Sequence, residues 1–328
     1  MELIKVEKET PNIALENHSN PTKNKSEFIG GRTRSVELNH LKNDCIIPVF
    51  SKDNETTISH YQFIKKAKDV IADLFNGFDV SEPNIRVSHQ IKGRVPTAIG
   101  KPVKELQEHE KTIYYERCAF LMELTQIEES ISGNPLTLSI GGVRAYNQEN
   151  LYSRKNLEKF KIFIGFQNKV CLNLCVSTDG FSNEIRVGSV DDLENKMIEL
   201  FQSYDKDQHL TTLESFSKLQ LDEESFAHFI GKARMYQHLS KKDKARIHPM
   251  LLNDGQINHA VKQYYECPNF KRDANNNISL WNLYNLFTEA NKTTYIDNNI
   301  ERNVNAYEII RHIANSEQFD EFSWYLPN

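Results

Sequence analysis

Phe160-Lys161-Ile162-Phe163-Ile164-Gly165-Phe166 is followed by Gln167-Asn168-Lys169 and then by Val170-Cys171-Leu172-Asn173-Leu174-Cys175-Val176. Apolar residues at every second position mark a pleated strand with one buried face. The three residues between the two runs suit a tight hairpin, so the pairing is antiparallel. The same period occurs upstream. Ile85, Val87, His89 and Ile91 alternate with Arg86, Ser88, Gln90 and Lys92; Thr112–Thr125 forms a second run; and Leu136, Leu138 and Ile140 end at Gly141-Gly142. A short strand is expected around Ile185–Val187. Consecutive strands with short connections favour an antiparallel sheet over a parallel one.

Outside these runs the period becomes helical. Phe63, Ile64, Ala67, Val70, Ile71, Leu74 and Phe75 share one face of a helix from Ser59 to Phe75, with Lys65, Lys66, Lys68 and Asp69 opposite and Gly77 beyond its end. After Ser189 the pattern is helical almost throughout. Leu193, Met197, Leu200, Phe201 and Tyr204 make one stripe, and Thr211 to Glu214 offers a capping box. Asp222 can cap a helix carrying Phe226, Phe229, Ile230, Ala233 and Tyr236. Further helices fit Gln256–Glu266, Ser279–Ala290 and Asn303–Ala314. The fold class is therefore α+β: an antiparallel β-sheet with a flanking helix in the first half and a helical second half. Residues 1–35 are polar and aperiodic and are expected to be a flexible tail, 36–190 the β-rich domain, and 191–328 a helical region packed on it.

The 328 residues carry a net charge of −5, with 39% hydrophobic content, enough for a core but not the basic balance of a general nucleic-acid coat. A local basic face is compatible with that total, because binding responds to where charge sits. The five cysteines include no C-x-x-C pair and suit buried thiols in a reducing cytosol. The first residues lack a secretory h-region, and no stretch approaches the ~20 apolar residues of a membrane span, so a cytoplasmic protein with no membrane partner is expected.

Motifs for catalysis are missing. Gly141-Gly142 belongs to neither a Walker loop nor G-x-G-x-x-G, and suits a bulge or turn at a strand end. No G-x-S-x-G elbow occurs, and the histidines have no metal-ligand spacing. Glu128-Glu129 and Asp222-Glu223-Glu224 are neighbours that diverge on a helix, better suited to solvated faces than to an acid/base pair. No cofactor is expected.

The remaining chemistry is basic and aromatic. Arg86, Lys92, Arg94, Lys101 and Lys104 fall in one region. Residues 142–155 are expected as a loop carrying Arg144, Tyr146, Tyr152, Arg154 and Lys155. Cations that track a backbone beside rings that stack on bases are the chemistry of single-strand binding. The competing reading is an ordinary loop with Tyr146 and Tyr152 packed on the sheet. Lys232, Arg234, Lys241, Lys242, Lys244 and Arg246 form a second cluster that an exposed helix face explains equally well.

His40-Leu41 through Ile46-Ile47-Pro48-Val49-Phe50-Ser51-Lys52-Asp53-Asn54-Glu55, Ile85-Arg86-Val87-Ser88-His89, Ile140-Gly141-Gly142-Val143-Arg144-Ala145-Tyr146-Asn147, Val170–Val176 and Trp281-Asn282-Leu283-Tyr284-Asn285-Leu286-Phe287-Thr288 together resemble a Bacteroidetes domain-of-unknown-function family, number three-eight-seven-one. The resemblance covers nearly the whole chain after the first ~35 residues, taken as a tail. It implies no catalytic residues. Lys169–Leu174 and the set Trp281, Tyr284, Asn285 and Thr288 are more distantly similar to the broader phage/plasmid-like family of unknown function. That similarity implies a mobile-element protein. The expected function is a non-enzymatic single-stranded nucleic-acid binding or annealing protein. The alternative is a protein-interaction or host-defence-modulating protein with a host protein as partner, and a third reading is an enzyme using Arg144, Tyr146, Glu149 and Tyr152.

Overall fold

The computed structural model describes residues 27–31, 33–45, 57–98, 100–148, 157–319 and 322–327. The end of the segment expected as a tail is built into the molecule. Phe28 and Ile29 are fully buried, and β1 (Arg34–Val36) pairs with a later strand. A short helix α1 (Leu38–Asn43) follows. Of the apolar run Leu41–Phe50, the part beyond Cys45 lies outside the described residues.

Helix α2 (His60–Leu74) forms where its apolar spacing places it. Its first turn is closed by a reciprocal cap: the Ser59 hydroxyl accepts from the Gln62 N–H at 3.1 Å, and the Gln62 side chain accepts from the Ser59 N–H at 2.7 Å. Phe63, Ile64, Ala67, Val70 and Ile71 are buried against the sheet, and Phe63 meets the rings of Phe120 and Phe160 with centroids 5.1 and 4.8 Å away.

The strands are β2 (Asn84–Val87), β3 (Gln90–Arg94), β4 (Lys111–Tyr115), β5 (Arg117–Ile131), β6 (Asn134–Ala145), β7 (Glu158–Asn168), β8 (Leu174–Cys175) and β9 (Phe181–Val187). They form an antiparallel sheet in the order β1-β2-β5-β6-β7-β8, with β9 also on β7, while β3 and β4 form a separate two-stranded ribbon. The β5–β6 turn is Ser132-Gly133. Both residues have positive φ (49° and 76°), the mirror-image turn whose twist matches a hairpin.

Four strand expectations are corrected. The run 85–91 breaks at Ser88-His89, and the run 112–125 breaks at Glu116. The Ser88 N–H donates to the Arg117 C=O at 3.0 Å and the Ser88 hydroxyl accepts from the Arg117 N–H at 3.1 Å. Both chains leave the main sheet there and pair with each other as the ribbon. Alternation specifies a buried face, not a partner, so the exchange was invisible to it. The third strand runs on through Gly141-Gly142 to Ala145 instead of ending. Those glycines make room for rings: a Cβ on Gly142 would stand 2.5 Å from Phe63 Cζ. The expected strand 170–176 shrinks to Leu174–Cys175. Leu172 has φ 59°, and its N–H donates to the Asn168 C=O at 2.7 Å.

The second half comprises α3 (Val190–Ser203), α4 (Lys206–Lys218), β10 (Gln220–Leu221), α5 (Glu223–Tyr236), α6 (Lys241–Lys244), α7 (Asp254–Glu266), β11 (Ile278–Ser279), α8 (Leu280–Asn291) and α9 (Ile296–Phe319). Asp222 caps α5 as expected, accepting from the Ser225 N–H at 2.8 Å. The Thr211 box is not a start. Helix α4 begins earlier with Asp205 as its cap, and the Thr211 hydroxyl donates back to the Asp207 C=O.

The two sheet faces have different cores. Phe120, Met122, Leu138, Ile140, Ile162 and Ile164 belong to a large core continuous with Phe229, Trp281, Tyr284 and Tyr307 of the helical half. Ala119, Leu121, Val143 and Phe163, on the opposite face, pack with Phe28 and Ile29 and with Ile296, Ile300 and Val304 of α9. The α+β class holds, and the change near residue 190 is one of secondary structure within a shared core. Among the described residues no helix is long and apolar enough to cross a membrane.

Candidate nucleic-acid interface

Arg144 lies on the inner face of β6, 1% exposed. Its guanidinium is sandwiched between the Tyr146 and Phe160 rings, at 4.5 and 4.4 Å from their centroids. It donates to the Ile58 C=O and the Glu158 carboxylate, and Glu158 in turn accepts from the Ile58 N–H at 3.0 Å. This clamp holds the chain entering α2 against the sheet. Tyr146 is equally buried and stacks on His60 at 4.5 Å. His60 donates from Nε2 to the Tyr115 C=O at 2.8 Å. Burial, reinforced by the Arg144 charge, pushes the His60 imidazole down to about 3, so it stays neutral. The expected loop from residue 142 is thus strand as far as Ala145, followed by a turn whose first residue, Tyr146, is buried and whose second, Asn147, is exposed.

Arg86 is also turned inward. Its Nε donates to the Thr33 hydroxyl at 2.9 Å, and a terminal nitrogen lies 2.6 Å from the Glu27 carboxylate. It fastens the N-terminal segment to β2. Tyr152, Arg154 and Lys155 lie outside the described residues, as does Glu149. A groove using Arg86, Arg144 and Tyr146 is not formed, because each is consumed by packing. One sequence cannot tell an arginine that clamps a core from one that faces solvent.

The structure does bring Lys92 and Arg94 together with Lys101, Lys104 and Lys111 on the β3–β4 ribbon and its connecting turns. Residues 90–115 contain these five cations against Glu105, Glu108 and Glu110, a net of +2 on a chain of −5. Lys101 pairs with Glu110 and Lys111 with Glu108. The lysine in each pair holds its carboxyl partner below the usual carboxylate range, for Glu110 with help from the Gln107 N–H. Among the described residues Lys92, Arg94 and Lys104 pair with no carboxylate; the Arg94 guanidinium donates to the Lys101 C=O.

At the foot of this ribbon is a cleft of about 370 Å³, lined by Gly31, Thr33, Ser88, His89, Arg117, Tyr295 and Ile296. Arg117 donates to Glu116 at 2.7 Å, its Nε lies 3.4 Å from Asp297, and its guanidinium sits 5.9 Å from the Tyr295 ring centroid. Tyr295 is 64% exposed. Sequence reasoning missed this pair, since nothing local links β5 to the residue before α9. A smaller cavity of about 160 Å³ lies between β6, β7 and β9, with Lys159 paired to Glu184 at 2.8 Å in its wall.

Catalytic alternatives are weaker. His40 Nδ1 donates to Asp44 at 2.7 Å, while its Nε2 faces the Tyr115 hydroxyl at 3.0 Å and Cys45 Sγ at 3.8 Å. This has the order of a nucleophile, base and orienting acid. Burial and the Asp44 charge, however, push the Cys45 thiol up to about 11, the opposite of activation. No group of three metal-ligating side chains occurs among the described residues. The motif residues around Cys171 and Trp281 meet each other and form a buried junction. Asn168 and Asn173 donate from their Nδ2 atoms to the Asn285 side chain and C=O at 3.0 and 2.9 Å, and Trp281 Nε1 donates to Asn134 at 2.7 Å.

No curated protein and no solved structure matches this chain. A family model described as "Domain of unknown function, B. Theta Gene description (DUF3871)" matches residues 8–326. With nearly its whole length matched, the chain belongs to that family of unknown function.

Proposed function

We propose that this protein binds single-stranded nucleic acid without catalysis, using the β3–β4 ribbon to contact phosphates. The observation that carries the reading is the placement of Lys92, Arg94 and Lys111 on the ribbon and of Lys101 and Lys104 in its connection, with a net charge of +2 over residues 90–115. Cations that track a backbone are the element by which single strands are held irrespective of sequence.

The test is fluorescence anisotropy with an oligo-dT strand across a salt series. Three to five phosphate contacts give a log–log slope of about −2 to −3.5, so affinity falls about 15- to 130-fold between 50 and 200 mM salt. The triple substitution Lys92→Ala, Arg94→Ala, Lys104→Ala flattens the slope. Absence of binding at low salt would refute the reading. It would leave the alternative of a protein-interaction role through the helical half, where Met235 and Tyr265 stand exposed.

A further inference from the structure

We propose that the cleft between the β2–β5 corner and the start of α9 receives one unstacked base of the bound strand, with Tyr295 as its stacking surface. This inference rests on the nucleic-acid reading and names what that site recognises beyond phosphate.

Three features point to a base instead of a second phosphate. The first is charge. Among the described lining residues Arg117 carries the permanent positive charge, and Glu116 at 2.7 Å and Asp297 at 3.4 Å compensate it. A neutral planar ring is not penalised by that balance. The second is the pairing of flat groups. The Arg117 guanidinium lies over the Tyr295 ring, 5.9 Å from its centroid, and Tyr295 is 64% exposed, a cation and a ring at the cleft of the kind that stack with a base. Thr33, Ser88 and His89 line the same cleft; the Thr33 hydroxyl is held by Arg86 and the Ser88 hydroxyl by the Arg117 N–H, which leaves the exposed His89 imidazole as the hydrogen-bonding group for a base edge. At about 370 Å³ the cleft falls within the range of small-ligand sites.

The third feature is position. His89 lines the cleft and is immediately followed by Gln90, the first residue of β3. At about 3.3 Å rise per residue, Lys92 is about 10 Å along the strand from the cleft. A strand whose phosphates lie along the ribbon can therefore turn one base into the cleft without leaving its cations. The division of labour is physical: the ribbon's unpaired cations meet the charged backbone, and the neutralised guanidinium and its ring meet the uncharged base.

The experiment compares Tyr295→Ala and Tyr295→Phe with the wild type. Each is titrated with oligo-dT and with an abasic strand of equal length. Loss of one base–aromatic stack lowers oligo-dT affinity of Tyr295→Ala about 5- to 150-fold. Its affinity for the abasic strand and its salt slope stay as in the wild type, and Tyr295→Phe restores oligo-dT affinity. Equal loss on both strands, or no loss on oligo-dT, would overturn the inference while leaving the ribbon reading intact. Wild-type protein that binds neither strand at low salt would overturn both. Tyr295 is exposed, so the substitution does not open a core.

Discussion

Replacing Arg144 with alanine separates a core clamp from a ligand contact. The side chain is 1% exposed and lies between two rings, and its removal leaves the Glu158 carboxylate, itself only 16% exposed, without its cation. Breaking a buried ion pair by removing one partner costs about 3–5 kcal/mol. An unfolding entropy of about 2.1 cal/mol/K per residue gives this chain about 0.7 kcal/mol/K, so Tm drops by about 4–7 °C. Differential scanning calorimetry at neutral pH reads the shift. A double-mutant cycle with Glu158→Gln adds a coupling of about 1 kcal/mol or more, since the two groups touch. At a temperature where Arg144→Ala is folded, its affinity for oligo-dT equals that of the wild type. An unchanged Tm together with lost binding would refute the clamp and put Arg144 back at a surface.

Two further outcomes follow from buried polar groups. Asn285→Ala removes the acceptor of the Asn168 amide and weakens the junction between the β7–β8 turn and α8. The stranded buried donor costs about 1–3 kcal/mol, visible as a lower urea midpoint with an unchanged m-value; a shift below a few tenths of a kcal/mol would contradict the network. His60 and His209 are both buried, which pushes them down to about 3 and about 4. The unfolded chain binds protons to them from about pH 6.5 downward while the folded protein does not. Stability from this source is thus complete above pH 6.5 and is lost as pH falls toward 4, by about 2 kcal/mol per histidine at pH 5. Urea titrations of the wild type and of His60→Gln, His209→Gln at pH 7.5 and pH 5 measure it, and equal acid sensitivity of the two would contradict the assignment.

How far the amino-acid pattern reached can be seen residue by residue. The apolar spacing from Phe63 to Ile71 and the alternation from Phe160 to Phe166 specified a helix face and a strand face, because both periods are local consequences of backbone geometry. Asp222 announced α5 through its own capping chemistry. The Ser88 and Glu116 breaks were illegible: strand exchange depends on which chain lies alongside. The same limit applied to the site. Lys92, Arg94, Lys101 and Lys104 are close in sequence and stayed together on one ribbon and its connection, so their cluster was visible early. Arg144 and Arg86 looked equivalent to them, yet their surroundings come from His60, Phe160, Glu158, Thr33 and Glu27, which only folding assembles. Tyr295 and Arg117 are joined across the molecule by α9 docking on the sheet. Local periodicity records which side chains leave water; whether a charge is neutralised, and which distant ring it meets, is set by three-dimensional packing.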